Sequence, residues 1–185
     1  PVCNKESELG ISPHRDAGFL TILLQDETCH SLQVCNNYDG EWHLVVPEPN
    51  ALTINTGDMA QIWSNGVYQA PLHRVLTSTD TDRFSAPFFY NPGYQHSIAP
   101  VSHPPKYYPC LWGYFRALRF AGDLCDLGVE IQISDYEVSS TSSHPQRQQS
   151  FAEKFRFDRA FSVEKLRELL QNEVAEENKD STATE

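Results

Sequence analysis

The sequence predicts a mainly β domain, a sandwich or barrel of short strands, followed by helices. Two observations predict it. Short apolar and β-branched runs recur through residues 1–101 at spacings of about 8–12 residues, each closed by turn-forming residues. After Pro100 the apolar residues change to helical spacing. At 185 residues the chain can bury one hydrophobic core and is short for two.

The elements follow in order. Ile11-Ser12-Pro13-His14-Arg15-Asp16 reads as an extended strand, and Phe19 to Leu24 as a second that ends at Gln25-Asp26-Glu27. Ser31 to Cys35 alternates, Asn36-Asn37-Tyr38-Asp39-Gly40 supplies hairpin-turn chemistry, and Trp42 to Val46 returns as far as Pro47. Ala51 to Asn55 is a strand closed by Thr56-Gly57-Asp58, and Met59 to Trp63 continues as strand until Ser64-Asn65-Gly66. Leu72 to Leu76 and Phe84 to Tyr90 complete residues 1–101. In the segment 102–138, Leu111, Phe115 and Leu118 repeat at helical spacing, with Pro109 near the start and Gly122 beyond the end. The segment 139–185 opens with a flexible loop, since Ser139 to Ser150 is rich in Ser, Thr, Gln and Pro. A second helix follows, with the stripe Val163, Leu166, Leu169, Leu170 and Val174 behind a Ser162 cap, and then an acidic tail. Both helical stripes are expected to pack against the β core.

Composition narrows the function classes. A net charge of -11 argues against nucleic-acid binding, which needs a basic footprint. No apolar run reaches the roughly 18 residues that span a bilayer. Five cysteines without a C-x-x-C pair make neither a disulfide framework nor a zinc finger, and they suit a cytoplasmic, reducing compartment.

His14 and Asp16 stand two apart, so on an extended strand one imidazole and one carboxylate project from the same face while Arg15 faces away. His73, in the apolar segment Leu72 to Leu76, offers a third donor. Two histidines and one carboxylate on one face of an octahedron leave three positions open, an arrangement suited to ferrous iron that must bind a cosubstrate and O₂ together. On spacing alone the pair also fits a structural histidine beside an unrelated aspartate. Arg83 lies ten residues after His73, and on a strand it shares a face with Ser85, Pro87 and Phe89. A guanidinium fork beside a hydroxyl forms a carboxylate clamp, although an Arg-x-Ser on an edge strand is common without one.

The blocks His14 to Gly18, Leu20 to Asp26, Leu32 to Val34, Asn55 to Met59, Trp63 to Gly66, Leu72 to Val75, Arg83 to Ser85 and Pro87 to Pro92 follow one another at compatible spacings. Together they resemble the C-terminal oxygenase domain of the iron(II)/2-oxoglutarate-dependent dioxygenases, in the isopenicillin N synthase-like branch, from Pro1 to about Tyr136. The resemblance implies a double-stranded β-helix, or jelly roll. It implies Fe(II) on His14, Asp16 and His73, and the distal carboxylate of 2-oxoglutarate on Arg83 and Ser85. Phe89 matches a position that lines the substrate pocket and equally serves packing. The implied reaction is hydroxylation or desaturation of a small organic molecule with O₂, releasing succinate and CO₂, with ascorbate as a reductant.

The family carries a helical region, an Asn-x-Tyr segment and a first strand ahead of the stretch where this chain opens at Pro1-Val2-Cys3. The N-terminal part of the family fold is therefore expected to be missing, which exposes a sheet edge. Asn50 stands where the family favours Gly, at a turn whose positive φ Asn tolerates. Two other readings remain at this stage: a same-fold iron oxidase that does not use 2-oxoglutarate, and a catalytically silent β-sandwich.

Overall fold

β-Branched and leucine-rich runs pair as antiparallel strands in the computed structural model of the chain, which describes residues 9–78, 81–124 and 130–154 with Ser162, Glu164, Lys165 and Glu168. Two compact units result, one of Pro1–Pro92 with Pro100–Pro104, the other of Gly93–Ala99 with Pro105–Glu185.

In the first unit the strands are β1 (Leu9–His14), β2 (Leu20–Gln25), β3 (Leu32–Cys35), β4 (Trp42–Leu44), β5 (Thr53–Thr56), β6 (His73–Leu76) and β7 (Ser85–Tyr90). They form a four-stranded sheet in the order β1-β6-β3-β4 and a three-stranded sheet in the order β5-β2-β7. The chain passes between the sheets after β1, β2, β4, β5 and β6, and side chains of both sheets line one cavity. This is the double-stranded β-helix that the family resemblance implies. Turn chemistry holds where expected: Gly40 has φ 75° in the β3–β4 hairpin, and Asn50 has φ 58° ahead of β5.

Two expectations fail here for stated reasons. Met59 to Trp63 is not strand: Asp58–Trp63 is a short helix, α1. Five residues of mixed polarity fit either period. The helix is decided by groups distant in sequence, because Asp58 N–H donates to the Asp16 carbonyl at 2.8 Å and Met59 N–H to the Gly18 carbonyl at 3.0 Å. These carbonyls satisfy donors that a helix start leaves unpaired. Asp16, in turn, lies beyond the end of β1, so strand alternation does not orient it.

Burial in this unit is uneven. Met59 and Ile62 of α1 are fully buried, whereas every residue of β7 is exposed, including Phe88 and Tyr90. Among the described residues β7 is also a sheet edge.

The second unit is built from β8 (Ser97–Ile98) paired with β9 (Cys110–Leu111), helix α2 (Trp112–Leu124), a 3-10 turn at Ile133–Tyr136 and helix α3 (His144–Lys154). The predicted helix exists but runs through Gly122. Its buried face carries Tyr114, Phe115 and Leu118. The expected loop over Ser139 to Ser150 becomes helix from His144 onwards. Pro145 suits a first helical turn, and Gln and Arg are good helix formers. Gln148 completes it from outside the local sequence: its amide oxygen accepts the Leu111 N–H at 2.7 Å, and its Nε2 donates to the Pro109 carbonyl at 2.7 Å. Ser162 Oγ accepts the Lys165 N–H at 3.3 Å, as a cap should. The stripe from Val163 to Val174 and the acidic tail lie outside the described residues. No helix among the described residues is long and apolar enough to cross a membrane.

This unit carries an acid-sensitive contact. The Tyr114 hydroxyl and His144 Nδ1 are 2.9 Å apart. Burial holds the His144 imidazole below its ordinary value of 6.5; Asp135 pulls the other way and Arg147 adds to the effect. The unfolded chain thus binds a proton near pH 6.5 that the folded unit accepts only at lower pH. The associated stability is complete above that value and declines as pH falls below it. The melting temperature of the metal-free chain should drop between about pH 7.5 and about pH 5.5, and less in His144→Gln. An identical drop in the variant would remove His144 from the account.

Candidate metal centre

Three donors meet at one end of the cavity. His14 and His73 are register partners on neighbouring strands β1 and β6, which brings their rings to 4.2 Å between centroids, tilted by 55°. Each imidazole is oriented by its own backbone: His14 Nδ1–H donates to the Ser12 carbonyl at 2.8 Å, and His73 Nδ1–H to the Pro71 carbonyl at 3.1 Å. A carbonyl only accepts, so Nδ1 carries a proton, and in the neutral tautomer Nε2 holds the lone pair that can ligate. Burial lowers the His73 pKa, which favours the neutral ring. Asp16 Oδ1 lies 3.8 Å from His14 Nε2 and 3.7 Å from His73 Nε2. Two lone pairs and a buried carboxylate oxygen pointed at one another repel without a cation between them. The donor set fits a divalent metal held by nitrogen and oxygen, with open positions.

The loop that delivers Asp16 is tightly constrained. Arg15 Nη1 donates to the Ala70 carbonyl, tying the two ligand-bearing segments together. Gly57 N–H donates to the Phe19 carbonyl at 3.0 Å. A Cβ on Gly57 would collide with the Gly18 carbonyl oxygen and stand 2.7 Å from the Asp16 carbonyl oxygen, so only glycine admits the close approach.

Farther along the cavity, Arg83 Nη1 donates to Ser85 Oγ at 3.1 Å and Nη2 to Gln25 Oε1 at 3.1 Å. Arg83 Nε is buried without a partner among the described residues, and burial lowers the guanidinium pKa. A half-buried cation whose Nε is buried and unused fits an anionic ligand such as a carboxylate. Gln25 Nε2 is itself bonded to Thr53 Oγ1 at 3.1 Å. The cavity has a volume of about 310 Å³, and His14, Asp16, His73, Arg83, Ser85 and Phe89 all line it. Apolar walls come from Leu23, Leu32, Val34, Val75 and Pro87.

The sequence reading therefore names six residues that the fold brings together, and it misses Thr21, Gln25 and Asn55, which hold them. Parity along β2 carries the missing signal, since residues 21, 23 and 25 share the inward face. Asp39, Glu41 and His43 also bring ligand atoms within 4.8 Å of one another, but all three are exposed, so water competes for any cation there.

Comparison with known proteins agrees with this geometry. The family model described as the 2OG-Fe(II) oxygenase superfamily matches residues 1–92. Jasmonate-induced oxygenase 2 of Arabidopsis thaliana is 39% identical over 142 residues, 72% of this chain and 38% of that protein. Gibberellin 2-beta-dioxygenase 8 of the same plant is 45% identical over 108 residues, 58% of this chain and 31% of that protein. The crystal structure of JOX2 in complex with 2OG, Fe and JA superposes with a TM-score of 0.58 at 41% identity, over 63% of this chain and 36% of that one. A dioxygenase for auxin oxidation from rice also gives 0.58, at 30% identity, over 62% of this chain and 41% of that one. The chain spans between 28% and 38% of the length of the first curated relatives it matches.

Proposed function

We propose that this chain, which belongs to the 2OG-Fe(II) oxygenase superfamily through residues 1–92, works as an Fe(II)- and 2-oxoglutarate-dependent oxygenase on a small organic molecule. One observation carries the reading: a single cavity is lined by the His14, Asp16 and His73 donors and also by Arg83, which has an unused buried donor. His14, Asp16 and His73 would hold the iron. Arg83 and Ser85 would hold the distal carboxylate of 2-oxoglutarate, the fork taking both oxygens and the hydroxyl adding a further bond. When bound, iron and 2-oxoglutarate supply the oxidation of the substrate by O₂, with release of succinate and CO₂. The chain's own residues orient. Ser12 and Pro71 carbonyls fix the imidazole tautomers, Gln25 fixes the guanidinium plane, and the apolar walls exclude water.

Those walls favour a substrate with an apolar portion, and Phe89 supplies part of the surface it would meet. The relatives' names point to chemically different substrates, so none transfers to this chain. Free Cys29, Cys35 and Cys110 suit a reducing, cytoplasmic setting.

The test is turnover of 2-oxoglutarate to succinate by the full chain with Fe(II) and ascorbate, in wild type and Arg83→Ala. Loss of the charge-assisted bonds should raise the 2-oxoglutarate concentration required by roughly ten- to a hundredfold. An unchanged requirement would overturn the assignment of Arg83.

A further inference from the structure

We infer that Thr21 and Asn55 are positioning residues that restrict Asp16 to a single ligand oxygen and so keep a coordination position open; the inference rests on the metal reading above. The two carboxylate oxygens of Asp16 are not equivalent. Oδ1 faces both imidazole Nε2 atoms, at 3.8 and 3.7 Å. Oδ2 is turned away and accepts two hydrogen bonds, from Thr21 Oγ1 at 2.5 Å and from Asn55 Nδ2 at 2.7 Å. Thr21 and Asn55 are direct register partners on β2 and β5, so one cross-strand pair delivers both donors. Thr21 and Asp16 are buried, which leaves little water to replace either bond.

The consequence is chemical. A carboxylate can ligate through one oxygen or chelate through two. With one oxygen, two histidines and Asp16 occupy three of six octahedral positions and leave three. A chelating 2-oxo acid takes two of these and O₂ needs the third. If Asp16 also used Oδ2, only two would remain, and cosubstrate and O₂ would compete. Two donors on Oδ2 oppose that rotation, since chelation would break both bonds. Neither Thr21 nor Asn55 ranks as a ligand or a catalytic group; each acts through Asp16.

The test uses the full chain loaded anaerobically with Mn(II), in a His43→Ala background that removes the exposed Asp39, Glu41 and His43 set. The number of metal-bound waters is read from broadening of the Mn(II) resonance in water enriched in the magnetic oxygen isotope. Thr21→Val keeps shape and removes the hydroxyl, Asn55→Ala removes the amide, and Thr21→Ser restores the hydroxyl. Wild type should hold three waters. Thr21→Val and the double variant should hold two, with Mn(II) affinity changed by about tenfold to a hundredfold, and Thr21→Ser should return to three. A merely structural role would alter affinity and leave the water count untouched, so three waters in both Thr21→Val and the double variant would overturn the inference. If wild type does not bind Mn(II) in a His73-dependent way, the metal reading itself falls and this inference with it. That failure appears in wild type, whereas failure of the positioning role appears only in the variants.

Discussion

In the His73→Ala variant, metal affinity should fall by more than about a hundredfold, and 2-oxoglutarate turnover should disappear. Loss of an oriented outer-shell partner alone costs about ten- to a hundredfold, and removal of a ligand exceeds it. His73 is the more enclosed of the two histidines, 16% exposed against 40% for His14. Its backbone bond to Pro71 presets the lone pair for ligation. His43→Ala is the matched control, an exposed histidine among carboxylates whose loss should leave turnover and the metal affinity of the cavity unchanged. A titration with Fe(II) or Mn(II) checks both, and wild-type affinity in His73→Ala would remove this residue from the centre.

The second large effect lies in the scaffold. Gly57→Ala should destabilise the first unit by about 3 kcal/mol, at the upper end of ordinary overpacking, because the obstacle is backbone. The new methyl would push against the carbonyls of Asp16 and Gly18, which α1 also uses as acceptors. Metal affinity should therefore fall along with stability. Gly18→Ala is the informative contrast, since its methyl would meet the end of the Asn91 side chain, which can swing aside. Chemical denaturation and metal titration of both variants check the difference, and equal losses would show that the carbonyl contact is not the cause.

Much of this was legible in the order of the residues, but not always for the right reason. His14 and His73 are readable because each sits in a strand segment, apolar in the case of His73, and strand pairing then sets them side by side. The spacing of His14 and Asp16 also points to the site, yet alternation along a strand does not bring them together. Asp16 sits in a loop, and Thr21, Asn55 and the start of α1 aim its carboxylate. Asn55 lies 39 residues from Asp16 and Thr21 only five, across a loop, and no local period reports either contact. The same holds for Met59 to Trp63 and for the stretch after Ser143, where Gln148 reaches back to Pro109 and Leu111. Composition sees a polar, flexible segment; the amide of Gln148 finds unpaired backbone groups and makes helix there.

The parity of β2 has a wider consequence. Thr21 serves the Asp16 end of the cavity and Gln25 the Arg83 end, four residues apart on one strand, or roughly 13 Å. Deletion or insertion of one residue within β2 ahead of Thr21 would turn both outward in a single step. Substitutions can erode the two ends separately, but a frame slip in the strand removes them jointly. Descendants of such a chain should therefore differ in length at the hairpins and not inside β2, and grafting the centre onto another sheet would require moving Thr21 to Gln25 as one unbroken block.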